Sequence, residues 1–290
     1  MGNKSCINCR TKDKKKKDYL CNEIASPDGL PLRCCHRGTF KKLDYLKYYL
    51  DIFSKAMKKK FANRIYIDLF SGPGLCADRE SGEIRDGSSL IALELANPFT
   101  HYIFVDAMPK TLDILSQRCT EILDAKKVTS KVETLNLDGN DDIDKILSKS
   151  ERDNCISVAF IDPNDLGIHF SVLEKLAAIP SLDIIINFSI SDLKRNLETY
   201  SDSEQNDKAD KFFGCKDWPK GELEWLSFYQ EKLKSLGFVA VENYSEPKVK
   251  IKTKTGADIY YLIYASKNEL GLKFWRETKK KFLPKDIIPY

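Results

Sequence analysis

The stretch Ile65-Tyr66-Ile67-Asp68-Leu69-Phe70-Ser71-Gly72-Pro73-Gly74 constrains this chain more than any other segment. A short, β-favouring apolar run stops at a carboxylate and then at a glycine turn, so it reads as a buried strand at about 64–70. Gly72 and Gly74 let the backbone approach a ligand with no Cβ in the way. That is how a nucleotide-like cofactor is seated at the carboxyl end of a first parallel strand. The spacing D-x-F-x-G-x-G departs from the dinucleotide fingerprint, whose third glycine is missing here. An ordinary Gly-Pro turn after a strand is the plainer alternative.

What surrounds this stretch favours a site. An amphipathic helix over about 40–60 precedes it, with Leu43, Leu46, Leu50, Phe53 and Met57 on one face and lysines on the other. After it, apolar strands alternate with helices. His101–Asp106 reads as a second strand, followed by a helix that Pro109 opens. Lys131–Asp138 is a third strand, Ile156–Asp162 a fourth and Leu182–Phe188 a fifth, with helices at about 141–149 and 170–178 between them. Such alternation implies a parallel sheet with sites at the strand carboxyl ends. The first strand runs into Asp68, and the next three end in Asp106, Asp138 and Asp162-Pro163. One such ending is common, since Asp favours turns and caps; four would converge on one rim. The helix at 222–236 and strands at 238–242 and 258–265 read as an antiparallel finish to the sheet. The alternating lysines of 247–254 lie between those strands, solvated on one face. A basic helix at about 271–281 closes the chain. Residues 200–220, polar and acidic, read as a loop or lid.

Charge and cysteine usage set further bounds. Residues 1–60 carry 16 Lys+Arg against 6 Asp+Glu, whereas the remaining 230 carry 31 against 37. A basic front of this kind can contact a polyanion such as nucleic acid, or serve only as a solubilising tail. No apolar run approaches the ~20 residues of a membrane span. Nine cysteines, an odd number, suit reduced thiols better than a disulfide framework, so a cytoplasmic setting is expected. Residues 1–39 read as an irregular Cys/Lys-rich arm ahead of one α/β domain over 40–290. Within the arm, Cys6-x2-Cys9, Cys21 and Cys34 could supply four thiolates to zinc, although Cys34 and Cys35 are adjacent and the second pair is malformed.

The region from about Tyr45 to Ser266 resembles the three-Cys-motif partner proteins, a family similar to class I methyltransferases. The matching pieces are Tyr66–Gly74, Gly87–Leu93, Phe104–Asp106, Leu137–Asn140, Ala159–Pro163, Ile185–Phe188 and Tyr260–Ser266. The resemblance implies a doubly wound, mostly parallel seven-stranded sheet whose last strand is antiparallel. It implies S-adenosylmethionine as cofactor, with Asp68, Phe70, Gly72 and Gly74 around its methionine part, Asp106 on its ribose and Asp138 beside its adenine. Both Asp106 and Asp138 could instead be helix caps. It places Asp162, Pro163 and Asn164 where amino-group methyltransferases carry Asp/Asn-Pro-Pro-aromatic, the acid accepting from the target amine. Here Asn164-Asp165 replaces the aromatic and glycine, leaving His169 or Phe170 as substitutes for the ring. Three functions follow as expectations: a nucleic-acid methyltransferase, a weakly catalytic or non-catalytic subunit for a partner protein, and a metal-folded nucleic-acid module on an inert scaffold.

Overall fold

Strands buried on both faces need apolar residues at nearly every position. The central strands of this chain meet that requirement. The computed structural model describes residues 20–21, 23–150, 153–202, 206–242, 246, 248–252 and 256–283. In chain order the elements begin β1 (Leu20–Cys21), β2 (Leu32–Cys35), α1 (Arg37–Met57), β3 (Asn63–Asp68), β4 (Leu75–Asp78), β5 (Ile84–Asp86) and α2 (Ser88–Leu93). They continue β6 (His101–Asp106), α3 (Pro109–Lys126), β7 (Lys131–Asn136), α4 (Ile143–Ser148), β8 (Cys155–Ile161), α5 (Phe170–Leu176), β9 (Leu182–Phe188), α6 (Ile190–Arg195) and α7 (Leu197–Tyr200). Last come α8 (Lys208–Phe213), α9 (Glu222–Ser235), β10 (Ala240–Val241), β11 (Val249–Lys252), β12 (Asp258–Ser266) and α10 (Glu269–Phe282).

The main sheet has the order β7-β6-β3-β8-β9-β12-β10, with β11 adding an eighth strand on β12. Strands β7, β6, β3, β8 and β9 are parallel, and β12 runs against β9. Successive residues of each strand face opposite layers. Ile65, Ile67, Ile103, Val105, Ala159 and Ile161 pack with α4, α5, α8 and α9. Tyr66, Tyr102, Phe104, Val158 and Phe160 pack with α1, α2, α3 and α10, where Tyr264 stacks on Trp275 at 5.3 Å. Helices on both faces make the sheet doubly wound. The chain lays strands outward from β3 to β7, then returns to place β8 on the other side of β3. That reversal is the switch point at which open α/β sheets bind ligands.

Two features differ from the sequence reading. Of the arm, residues 1–19 lie outside the described residues, and with them Cys6 and Cys9. Within the described part of the arm, β1 and β2 join β4 and β5 in a second, four-stranded sheet. These strands are two to four residues long and only partly buried, so they lack the apolar run that would mark them. Residues 208–218, within the expected loop or lid, belong to the core. Phe212, Phe213 and Trp218 are buried there, and Trp218 donates to Asp210 at 2.8 Å. Among the described residues no helix is long and apolar enough to cross a membrane.

Candidate active site

The carboxyl ends of β3, β6 and β8 surround a cleft with two chambers. The first, about 280 Å³, is lined by Arg33, Phe70, Gly72, Asp106, Asp138 and Asp162 among others. The second, about 540 Å³, shares Arg33, Phe70, Gly72, Asp162 and Asn164 with it and extends past Pro163 to Lys42, Asn187 and Tyr260.

The turn after β3 is held from several sides. Gly72 has φ +63° and Gly74 φ +93°, both in the left-handed region that favours glycine. The two glycines do different work. A Cβ on Gly72 would meet nothing closer than Arg33 Nη1 at 3.9 Å, so its backbone stays open to the cleft. A Cβ on Gly74 would meet Leu90 and Leu115 at 3.0–3.1 Å, so this glycine lets the turn pack on α2 and α3. Ser71 N–H donates to Val105 C=O at 2.9 Å, tying the turn to β6. Arg118 of α3 donates to the Pro73 carbonyl at 2.5 Å and pairs with Asp28 at 2.6 Å, clamping the loop before β2 against the same turn. Nothing in the motif pointed to Arg118; its signal would have been a lone basic residue on the apolar side of α3.

Asp68 lines neither chamber. It lies fully buried beneath the turn, where its Oδ1 accepts from Phe70 N–H at 3.3 Å. Burial pushes its carboxyl up to about 7, opposed by the Ser88 hydroxyl and the Phe70 amide, with Asp162 and Asp106 adding repulsion. It is placed to organise the turn rather than to touch a ligand. Asp106 does line the cleft. Its Oδ2 accepts from Gly72 N–H at 3.2 Å and its Oδ1 from Met108 N–H at 2.9 Å. Burial raises its pKa, while those two amides pull it down. Asp138 is exposed and accepts from the N–H groups of Asn140 and Asp141 at 2.8 and 3.2 Å. It therefore caps its own turn while lining the first chamber. Leu69, Phe70, Met108 and Gly139 give that chamber apolar walls.

Asp162 is met by a residue the sequence reading left on a solvated helix face. Lys42 of α1 is 4% exposed, and its Nζ lies 2.6 Å from each Asp162 oxygen. Burial disfavours the ammonium, but attraction to Asp162 outweighs it and the net shift is upward. The Tyr260 ring faces the ammonium at 4.9 Å. Asn187 of β9, 4% exposed, also lines this chamber, and its Oδ1 is buried with no partner among the described residues. Pro163 and Asn164 line the chamber as well. Neither expected substitute ring reaches it. Phe170 is buried against Tyr229, 5.7 Å between ring centres, and His169 faces a separate surface hollow.

Cys21 and Cys34 are on adjacent strands and share a small apolar cluster with Leu32 and Ala77. Among the described residues no group of three or more His, Cys, Asp or Glu could hold a metal. Cys6 and Cys9, the other two residues of the expected zinc set, lie outside the described residues.

No family model matches the chain, and no curated protein matches its sequence. Solved structures do resemble it. Protein LPL1258 from Legionella pneumophila, described by the family model DUF519, is 11% identical with a TM-score of 0.51, over 85% of this chain and 94% of that one. The small RNA methyltransferase HEN1 is 12% identical with a TM-score of 0.45, over 79% of this chain and 26% of that one. The plantazolicin methyltransferase BpumL, solved in complex with SAH, is 11% identical with a TM-score of 0.38, over 80% and 86%. At these identities the likeness concerns the fold alone, an α/β fold with a mostly parallel central sheet and helices on both faces.

Proposed function

We propose that this protein is an S-adenosylmethionine-dependent methyltransferase acting on nucleic acid. The observation that carries the reading is the two-chambered cleft at the switch point, with the glycine turn and Asp106 on one side and the Lys42–Asp162 pair on the other. The first chamber fits the cofactor. Each Asp106 oxygen spends one lone pair on a backbone amide and keeps another for a ribose hydroxyl. Gly72 presents bare backbone, and Leu69, Phe70 and Met108 offer apolar contact for a purine. When bound, S-adenosylmethionine supplies a methyl group activated by its sulfonium. This chain's residues would orient the two reactants for in-line transfer, which is mostly a matter of positioning. Arg33, His36, Arg79 and Arg195 around the second chamber suit an anionic acceptor.

Membership of the three-Cys-motif partner family belongs to this proposal and rests on the ordered motif set. So does a cytoplasmic setting, supported by the odd number of cysteines, nine in all. A partner subunit without catalysis ranks second, because it leaves a buried ion pair and an unpartnered amide in the cleft without a task. The two readings separate on incubation with methyl-tritiated S-adenosylmethionine and total RNA. The proposal expects label in the RNA, lost in Asp162→Ala while that variant still binds cofactor. Bound cofactor with no transfer by the unaltered chain would favour the partner subunit.

A further inference from the structure

Resting on that reading, we propose that the methyl acceptor is a hydroxyl oxygen, in nucleic acid the ribose 2′-hydroxyl, gripped by Lys42 and Asp162, rather than a base amine. Donors and lone pairs decide between the two acceptors. An ammonium has three donors. Lys42 directs hydrogen bonds to both oxygens of Asp162, which leaves a third donor with no hydrogen-bond partner among the described residues. The Tyr260 ring at 4.9 Å favours the charge but is too distant to take that hydrogen bond. An amine has one lone pair, which must aim at the methyl carbon. It offers the ammonium nothing to bind, and its nitrogen becomes positive during transfer, beside an existing positive charge. A hydroxyl has two lone pairs: one for Lys42 and one for the methyl carbon.

The neighbouring groups agree. Asp162 keeps lone-pair sites beyond the two that Lys42 takes, so it can receive the hydroxyl proton. Asn187 Oδ1, buried in the same chamber without a partner among the described residues, can accept from a second donor of the same ligand. The ring that would follow Asp162-Pro163 to stack on a flipped base is missing from that place, since Asn164-Asp165 stands there and Phe170 points into the core. Tyr260 is already opposite the ammonium. In the step itself the hydroxyl proton passes to Asp162 and an oxygen lone pair forms the bond to the methyl carbon. The carbon–sulfur bond breaks with its electron pair left on sulfur. Lys42 opposes the negative charge that develops on the oxygen, as preorganised donors do in a water-poor site.

The test has three arms. Methyl-tritiated S-adenosylmethionine is incubated with the protein and total RNA, and the nucleosides are separated by mass spectrometry. Anisotropy then compares a 12-nucleotide RNA with its 2′-deoxy counterpart on the protein without cofactor. Calorimetry with S-adenosylmethionine checks Lys42→Met and Lys42→Arg for an intact cofactor chamber. Expected are 2′-O-methylnucleosides and a preference for RNA over DNA of roughly tenfold, the scale of one charge-assisted hydrogen bond. Lys42→Met should lose that preference, Lys42→Arg should retain part of it, and cofactor affinity should be unchanged in both. Methyl on a base nitrogen, or equal use of DNA, overturns the inference and leaves the methyltransferase reading standing. Bound cofactor with no methylated nucleic acid overturns both. The product arm needs no variant, so it decides even if Lys42→Met does not fold.

Discussion

Replacing Asp68 by asparagine should make the protein more stable, and more so as pH rises. A carboxyl that titrates near 7 in the folded chain has an ordinary value of 3.8. Between those values the folded state binds more protons than the unfolded state, so stability falls as pH rises through that window. At about 1.36 kcal/mol per tenfold change in proton affinity, the fully buried carboxyl costs roughly 1.5 kcal/mol at pH 5 and roughly 4 kcal/mol at pH 8. The side-chain amide in Asp68→Asn would have no such cost, and its oxygen can still accept from Phe70 N–H. Urea unfolding at pH 5, 6, 7 and 8 measures the difference. The gap between Asp68→Asn and the unaltered chain should widen in favour of the variant by roughly 2–3 kcal/mol from pH 5 to 8. Other titrating groups, such as the buried Asp183 at about 6, are common to both proteins and cancel in the comparison. A gap that stays constant across this range would refute the argument. It would mean that Asp68 is ionised in the folded state and is compensated by its neighbours.

Other residues give further checks. Gly74→Ala should lose about 1–3 kcal/mol in chemical denaturation, because its Cβ would crowd Leu90 and Leu115 at a strained φ. Arg118→Met should cost about 3 kcal/mol and weaken S-adenosylmethionine binding in calorimetry, since it frees both the Asp28 loop and the Pro73 carbonyl. Lys279→Met should destabilise by about 3–5 kcal/mol, because Glu242 and Glu246 lie 2.7 and 2.9 Å from its Nζ in a buried cluster. Adding Glu242→Gln to that variant should recover part of the loss in the same denaturation assay.

Much of the main sheet was legible because its strands are buried on both faces. Ile156–Ile161 and Leu182–Phe188 are apolar at nearly every position, and a helix cannot use such short runs equally well. The strand-end carboxylates were legible because each comes where a strand pattern stops, an apolar run before Asp68, Asp106 and Asp162 and an alternating one before Asp138. Their roles were less so. Asp68 and Asp106 occupy equivalent places in the sequence pattern, yet one is sealed beneath the turn and the other faces the cleft. Only the register of β3 between β6 and β8 separates them. Lys42 was hidden by helical periodicity, which assigns a lysine to the polar face and cannot foresee a carboxylate 120 residues away arriving opposite it. The small sheet of β1, β2, β4 and β5 was missed because its strands are too short and too polar to show a period. Phe212, Phe213 and Trp218 were missed because acidic neighbours diluted them.

The central claim is that the glycine turn and Asp106 form a pocket for S-adenosylmethionine. Calorimetric titration of the purified protein tests it most directly, alongside Asp106→Ala and Gly72→Asp. The account predicts saturable binding at micromolar concentrations, abolished in both variants while each still unfolds cooperatively. A folded, unaltered protein that releases no heat of binding, or binding that survives both substitutions, would contradict it.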